Sequence, residues 1–251
     1  MDEGKRRAIE ALSARAAAGR PLRLWWRDDD AVAPSAPLDR LLDLVAGHGL
    51  PLTLAVIPAP EGAAPSGPAL AERLAGEAGV RVAPHGYSHA NHAGPQEKKC
   101  ELGPARPAES VLEELARGHA QLRALHPERC LALLVPPWNR IAPAVRAGLG
   151  AAGFKALSTF GVPKGQGPVA QINTHLDIMD WHGTRSLRAP DTLWRDLAAL
   201  AQTDLPYAGL LTHHLVHDAA CWAFLEEFAA LTTQAGAQWV GAERLLAELE
   251  G

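Results

Sequence analysis

Short apolar runs alternate along the chain with longer stretches in which apolar residues recur every three or four positions, and the alternation repeats. Runs at 22–26, 51–57, 80–83, 130–135, 154–159, 169–174 and 207–212 have the length and composition of strands buried on both faces. The longer periodic stretches predict helices over 5–18, 38–47, 68–78, 110–125, 142–152, 190–202, 219–235 and 242–249. Gly-containing stops at Gly49, Gly79 and Gly153 stand between a helix and the next strand, where glycine accepts the left-handed conformation that ends a helix. Repeated βα units imply a mostly parallel sheet, and no Ser/Gly-rich or charged linker divides the chain. The reading is an α/β fold: one distorted or incomplete (β/α) barrel of about seven parallel strands over residues 1–251, with 1–20 forming a helix ahead of the first strand. A polar, Pro-rich excursion at 91–107 follows the third strand, and loops that long in a compact domain are commonly functional.

Polar residues gather at the predicted carboxyl ends of these strands, the end at which barrel enzymes keep their chemistry. Asp28, Asp29 and Asp30 sit where the strand at 22–26 stops. Adjacent carboxylates raise one another's pKa, and a divalent cation would neutralise them. Taken alone, the run also fits a solvated turn or a cap before the helix at Leu38. His85 and His89 end the third strand; four residues apart, they share one side of a helical turn and could grip one ion. With 11 histidines in the chain that spacing is weak evidence by itself, and His213 and His217 repeat it. Position is stronger evidence, because a barrel would bring the pair beside the acids. Two imidazoles and a carboxylate leave coordination sites open for water and substrate, as a catalytic ion requires.

Composition narrows the classes. A formal charge of −4 and the lack of a basic tract beyond Lys5-Arg6-Arg7 argue against nucleic acid as a partner. The three cysteines are odd in number and far apart, which fits a reducing compartment better than a disulfide framework. The sequence shows neither a secretory leader nor a stretch of about 20 apolar residues. The expectation is a cytoplasmic protein with no membrane partner; oligomeric state is not legible.

Five motifs in order over roughly 22–249 resemble the polysaccharide deacetylase (NodB-homology, carbohydrate esterase family 4) superfamily, as a divergent member. They are Arg27-Asp28-Asp29-Asp30, His85-Gly-Tyr-Ser-His89, Pro136-Pro137-Trp138-Asn139-Arg140, Asp177-Ile-Met-Asp180-Trp181 and Leu210-Leu211-Thr212-His213. The resemblance implies hydrolysis of a non-peptide C–N bond, N-deacetylation of an acetylated amino sugar or glycan. It implies a divalent metal held by Asp30, His85 and His89, with zinc the default and iron, cobalt or nickel also suited. By the same resemblance Asp29 is the general base, with Asp28 the alternative in the triple-aspartate register. His213 is the general acid, with His214 as the competing candidate, and Asp177 or Asp180 orients it or a nearby arginine.

Two departures stand out. The family's arginine before the third motif is replaced by Leu134 and Val135, so Arg140 or Arg27 must serve; and Gly86 stands where Ser or Thr is usual. Trp138 and Trp181 are read as walls of an acyl pocket, with Pro137, Asn139, Tyr87, Asp177 and His214 as further substrate contacts. Trp25 and Trp26 are read as packing, and His92, His175, His182 and His217 as supporting or surface groups. Two other functions fit the same residues: hydrolysis of a small cyclic or linear amide, and a catalytically idle carbohydrate-binding barrel.

Overall fold

The computed structural model describes residues 2–163, 165 and 167–249. In chain order its strands are β1 (Arg23–Ala31), β2 (Leu52–Val56), β3 (Val80–Pro84), β4 (Leu133–Leu134), β5 (Ala156–Leu157), β6 (Ala170–Gln171), β7 (Leu176–Asp177), β8 (Ala208–Thr212) and β9 (Gln238–Trp239). The helices are α1 (Glu3–Ala17), α2 (Ala36–Gly47), α3 (Pro68–Leu74), α4 (Ala108–Leu125), α5 (Pro143–Ala147), α6 (Pro190–Ala201), α7 (Ala219–Gln234) and α8 (Ala242–Leu249). None of the described helices is long and apolar enough to cross a membrane.

The named strands pair in parallel throughout, as the βα grammar of the sequence implies. One sheet runs β3-β2-β1-β8-β7 with β9 beside the start of β1, and a second runs β4-β5-β6. Two seams join them. On one side single bridges, Val82 to Cys130 and His85 to Val135, tie β3 to the β4 segment. On the other the chain crosses between sheets: β6 pairs with β5, and a few residues later β7 pairs with β8. The result is a distorted, mostly parallel (β/α) barrel without a continuous ladder at its seams.

Three differences from the sequence pattern matter. Strand β1 does not stop at Trp26; it continues through the acids to Ala31, because ladders to β2 and β8 hold its backbone on both sides as far as Asp28 and Ala31 pairs again with Val56. The strand-then-helix beat fails after β5 and after β6, where no helix follows directly among the described residues. Helix α5 is one short turn rather than the expected 142–152, and a two-residue β9 completes the start of β1.

Side chains alternate along a strand, so β1 supplies two cores at once. Trp25 faces the interior with Ala55, Ala83, Ala156 and Ile172, and small alanines leave room for its indole. Gly209 serves the same purpose, since a Cβ there would fall on Trp25 Nε1. Trp26 faces outward into the layer shared with the helices. Helix α2 shows how that layer forms: Ser35 caps it by accepting from the Leu38 N–H at 3.2 Å. Its fully buried Leu38, Leu41, Leu42 and Val45 then lie one or two turns apart on the inner face. Each such side chain contributes roughly 1.5–3 kcal/mol of burial.

Candidate metal centre and acid–base groups

The same alternation separates the three acids. Arg27 and Asp29 continue the inward line of Trp25 towards the barrel mouth. Asp28 lies on the outer face, where it accepts from Thr212 Oγ1 at 2.6 Å, from the His214 N–H at 3.0 Å, and pairs with His214 Nδ1. That carboxylate is fully buried on the outer face and its hydrogen bonds are to the β8 turn. Burial works against its charge, yet His214 holds it below the ordinary carboxylate range.

Asp30 would face outward in a regular strand. Instead the β1–β2 register shifts between Asp28 and Ala31, and Asp30 has a φ of 74°. This irregularity re-aims the side chain onto the mouth, as bulges beside functional sites do. Its Oδ1 lies 3.2 Å from His85 Nε2 and 3.3 Å from His89 Nε2. Asp30, His85 and His89 form the one cluster of three or more metal-ligating side chains among the described residues, with their donor atoms all within 4.8 Å of one another. Asp30 Oδ1 is buried and has no hydrogen-bond partner.

These donors fit a divalent cation. His85 Nδ1 lies 3.0 Å from the Val135 carbonyl, which requires the proton on Nδ1, so the neutral ring directs its Nε2 lone pair to Asp30. Two ligand atoms each ~2.1 Å from one ion at a tetrahedral angle would be about 3.4 Å apart, close to the observed separations. Burial would raise the Asp30 pKa, but His85, His213 and His89 together hold it well below the usual value. Burial, and then the neighbouring His85, lower the His89 pKa, which keeps its nitrogen available as a ligand.

Asp29 stands beside this cluster in a bidentate pair with Arg27, Nε to Oδ1 at 2.8 Å and Nη2 to Oδ2 at 2.9 Å. Arg27 is fully buried and spends its remaining donors across the barrel, on Ser158 Oγ at 2.8 Å and Asn139 Oδ1 at 2.9 Å. Of the two arginines expected to serve for the one missing before Pro136, Arg27 is the one paired with Asp29. Arg140 donates to the Lys99 carbonyl at 2.7 Å and does not reach Asp29.

His213, just past β8, places Nε2 3.9 Å from Asp29 Oδ2. Its ring is met edge-on by Trp181, with centroids 4.7 Å apart. Trp181 Nε1 donates to Asp177 Oδ2 at 2.9 Å, so the indole stands between Asp177 and His213. Asp180 stays apart: its carboxylate accepts from the Gly183 and Thr184 N–H groups and closes its own turn. His214 is buried against Asp28, which removes it both as the competing acid and as a substrate contact.

Among the other expected contacts, Trp138 lies beside His89 with ring centroids 4.4 Å apart. Pro137 is buried against Gly86, and Asn139 holds Arg27. The Tyr87 ring turns to α4, beside Gly118 and beneath Arg117. Four of the five described non-glycine residues with positive φ are at this site: Asp30, His89, Trp138 and Asn139. Such conformations cost on the order of 1–3 kcal/mol each and persist where their surroundings enforce them. Two residues escaped sequence reasoning. Ser158 carried no signal; Glu101 is buried beneath the His85–His89 loop, and its signals were the long excursion and the unusual Gly86.

No family model matches the sequence, and no curated protein matches it. Solved structures do. One is a candidate polysaccharide deacetylase from Mycobacterium smegmatis, with 20% identity, TM-score 0.66, and coverage of 91% of this chain and 90% of that one. A family 4 acetyl xylan esterase from Clostridium thermocellum, in complex with a cobalt ion, gives 14% identity, TM-score 0.59 and 90% coverage of each chain. The Bc1960 peptidoglycan N-acetylglucosamine deacetylase gives 17% identity and TM-score 0.57 over 87% of this chain and 85% of that one. At such identities the likeness establishes architecture: this chain has the NodB-like, mostly parallel (β/α) fold of the carbohydrate esterase family 4 deacetylases.

Proposed function

We propose that this chain is a metal-dependent hydrolase of the polysaccharide deacetylase superfamily that removes an acetyl group from the nitrogen of an amino sugar or glycan. The observation that carries the reading is the meeting, at one barrel mouth, of the Asp30–His85–His89 donor set with a fixed carboxylate and a facing imidazole. Asp30, His85 and His89 would hold the ion, zinc by default, with iron, cobalt or nickel also suited to these donors. A bound divalent cation supplies Lewis acidity that activates water and polarises an amide carbonyl.

The chain's own groups account for the proton transfers. Asp29 takes the proton of the attacking water on a carboxylate oxygen, and the Arg27 fork keeps both oxygens from rotating away. His213 delivers a proton from Nε2 to the departing nitrogen, because an amine leaves poorly as an anion. Trp138 and Trp181 flank His89 and His213 and exclude water from the acyl side. The neighbouring structures named for glycan deacetylation and de-esterification support the sugar assignment. An open groove of about 560 Å³ lined by Asn139, Phe160 and Gln171 adjoins the site at Asn139, which holds Arg27.

The test is acetate release by metal-loaded protein from a panel of N-acetylated sugars, oligomers and small amides. Asp29→Asn is expected to keep its metal and to lose turnover by about 10²–10⁴-fold. Full metal occupancy with no acetate from any substrate would leave the idle barrel as the answer.

A further inference from the structure

The segment 99–102 of the long excursion lies between the two loops that build the mouth. Lys99 takes the Arg140 guanidinium on its carbonyl, Leu102 bridges to Ile141, and the Ala142 N–H donates to the Leu102 carbonyl at 2.8 Å. Between them Glu101 is fully buried. Its Oε1 accepts from the N–H groups of Tyr87 at 2.9 Å and Ser88 at 2.8 Å, and its Oε2 from that of His89 at 3.1 Å. Among the described residues it has no ion-pair partner, so the three backbone amides, joined by Ser88 Oγ at 3.3 Å from Oε1, solvate the buried carboxylate. Three successive N–H groups converging on one anion form a nest, and that arrangement fixes the loop's dihedral angles.

The loop it fixes has positive φ at Gly86, 59°, and at His89, 57°. Glycine is required at position 86 for a second reason: a Cβ there would fall on Glu101 Oε2 and lie 2.8 Å from Pro137 Cδ. Gly86 and Glu101 therefore form a matched pair, the missing side chain on the loop making space for the carboxylate from the excursion.

We propose that Glu101 is the positioning residue of the metal centre, pre-forming the 86–89 loop so that His85 and His89 stand over Asp30 before an ion arrives. The inference rests on the metal centre proposed above and is independent of the substrate. A carboxylate satisfies three donors at once, whereas an amide presents an NH₂ group to one of them.

The decisive measurements use the full chain without substrate. Zinc affinity by chelator competition is expected to fall about 10–100-fold in Glu101→Gln, as loss of an outer-shell partner does elsewhere. The Tyr87, Ser88 and His89 amides, protected from hydrogen exchange in the metal-free protein, are expected to become exchangeable in the variant. Glu97→Gln, an exposed change in the same excursion, is expected to match the parent in both. If Glu101→Gln does not fold, Glu101→Asp, which keeps the charge but withdraws it by one methylene, is expected to shift both readouts in the same direction. Zinc affinity within twofold of the parent in a folded variant would overturn the role. So would fast exchange at these three amides in the metal-free parent. A parent that binds no zinc would instead defeat the metal centre itself and this inference with it.

Discussion

The two halves of the barrel are built differently. On one side β3, β2, β1 and β8 are five to nine residues long and share ladders of up to five consecutive pairs. On the other β4, β5 and β6 are two residues each, joined to the rest by single bridges. The candidate chemistry belongs to the long-ladder half, with Asp29 and Asp30 from β1, His85 from the end of β3 and His213 from the end of β8. The short-ladder half contributes the groove and its rim, with Phe160 45% exposed. The candidate groups stand at or just past the ends of long ladders, where β1 shifts register and β3 and β8 stop, whereas the groove stands on short strands and loops.

Substitutions can break or sharpen that contrast. The largest effect is expected from His85→Ala or His89→Ala on the rigid side: bound metal by elemental analysis falls well below one equivalent and turnover is lost. Full occupancy in both would separate the ladders from the chemistry.

Next is Arg27→Met, which cuts the one guanidinium tying β1 to Ser158 and Asn139 on the other side. It strands a buried carboxylate, and breaking such a pair commonly costs about 3–5 kcal/mol, read from urea unfolding. A cost below about 1 kcal/mol would show that the halves do not depend on this strut.

A smaller effect concerns the seam where β6 passes to β7. His175 Nδ1 accepts the Gly209 N–H at 3.1 Å, and burial lowers its pKa to about 4. The folded value lies below the unfolded one of about 6.5, so between those pH values the unfolded chain takes up a proton that the folded chain refuses. Stability therefore falls as pH drops from about 6.5 to 4. His175→Asn keeps an acceptor without the titration and is expected to flatten the dependence of Tm on pH over that window; an unchanged slope would contradict the assignment.

The smallest is Phe160→Ala on the groove rim, expected to change stability by no more than about 0.5 kcal/mol while raising KM for an oligomeric substrate and leaving kcat alone. A loss in kcat would mean that the rim belongs to the chemistry.

Which parts the sequence disclosed follows from the same contrast. Apolar runs such as 51–57 and 207–212 were legible because strands buried on both faces need continuous hydrophobicity. The Asp30–His85–His89 cluster was legible because the three lie at strand ends, where chain order already implies a shared mouth. Residues whose roles depend on reach across the barrel were not. Arg27 and Arg140 are equally near the expected site in sequence, and only the interior path to Ser158 distinguishes them. Asp177 and Asp180 sit in one short motif, yet a turn claims the second. The different directions of three neighbouring aspartates depended on one irregular φ that no residue type announces.

The indole of Trp25 has a consequence for traffic. Wedged against Gly209 and ringed by alanines, it closes the barrel two positions below Arg27 and four below Asp29. In the proposed hydrolysis, reactants and both departing fragments would share the mouth above it, so a spent fragment lingering there would obstruct the next arrival.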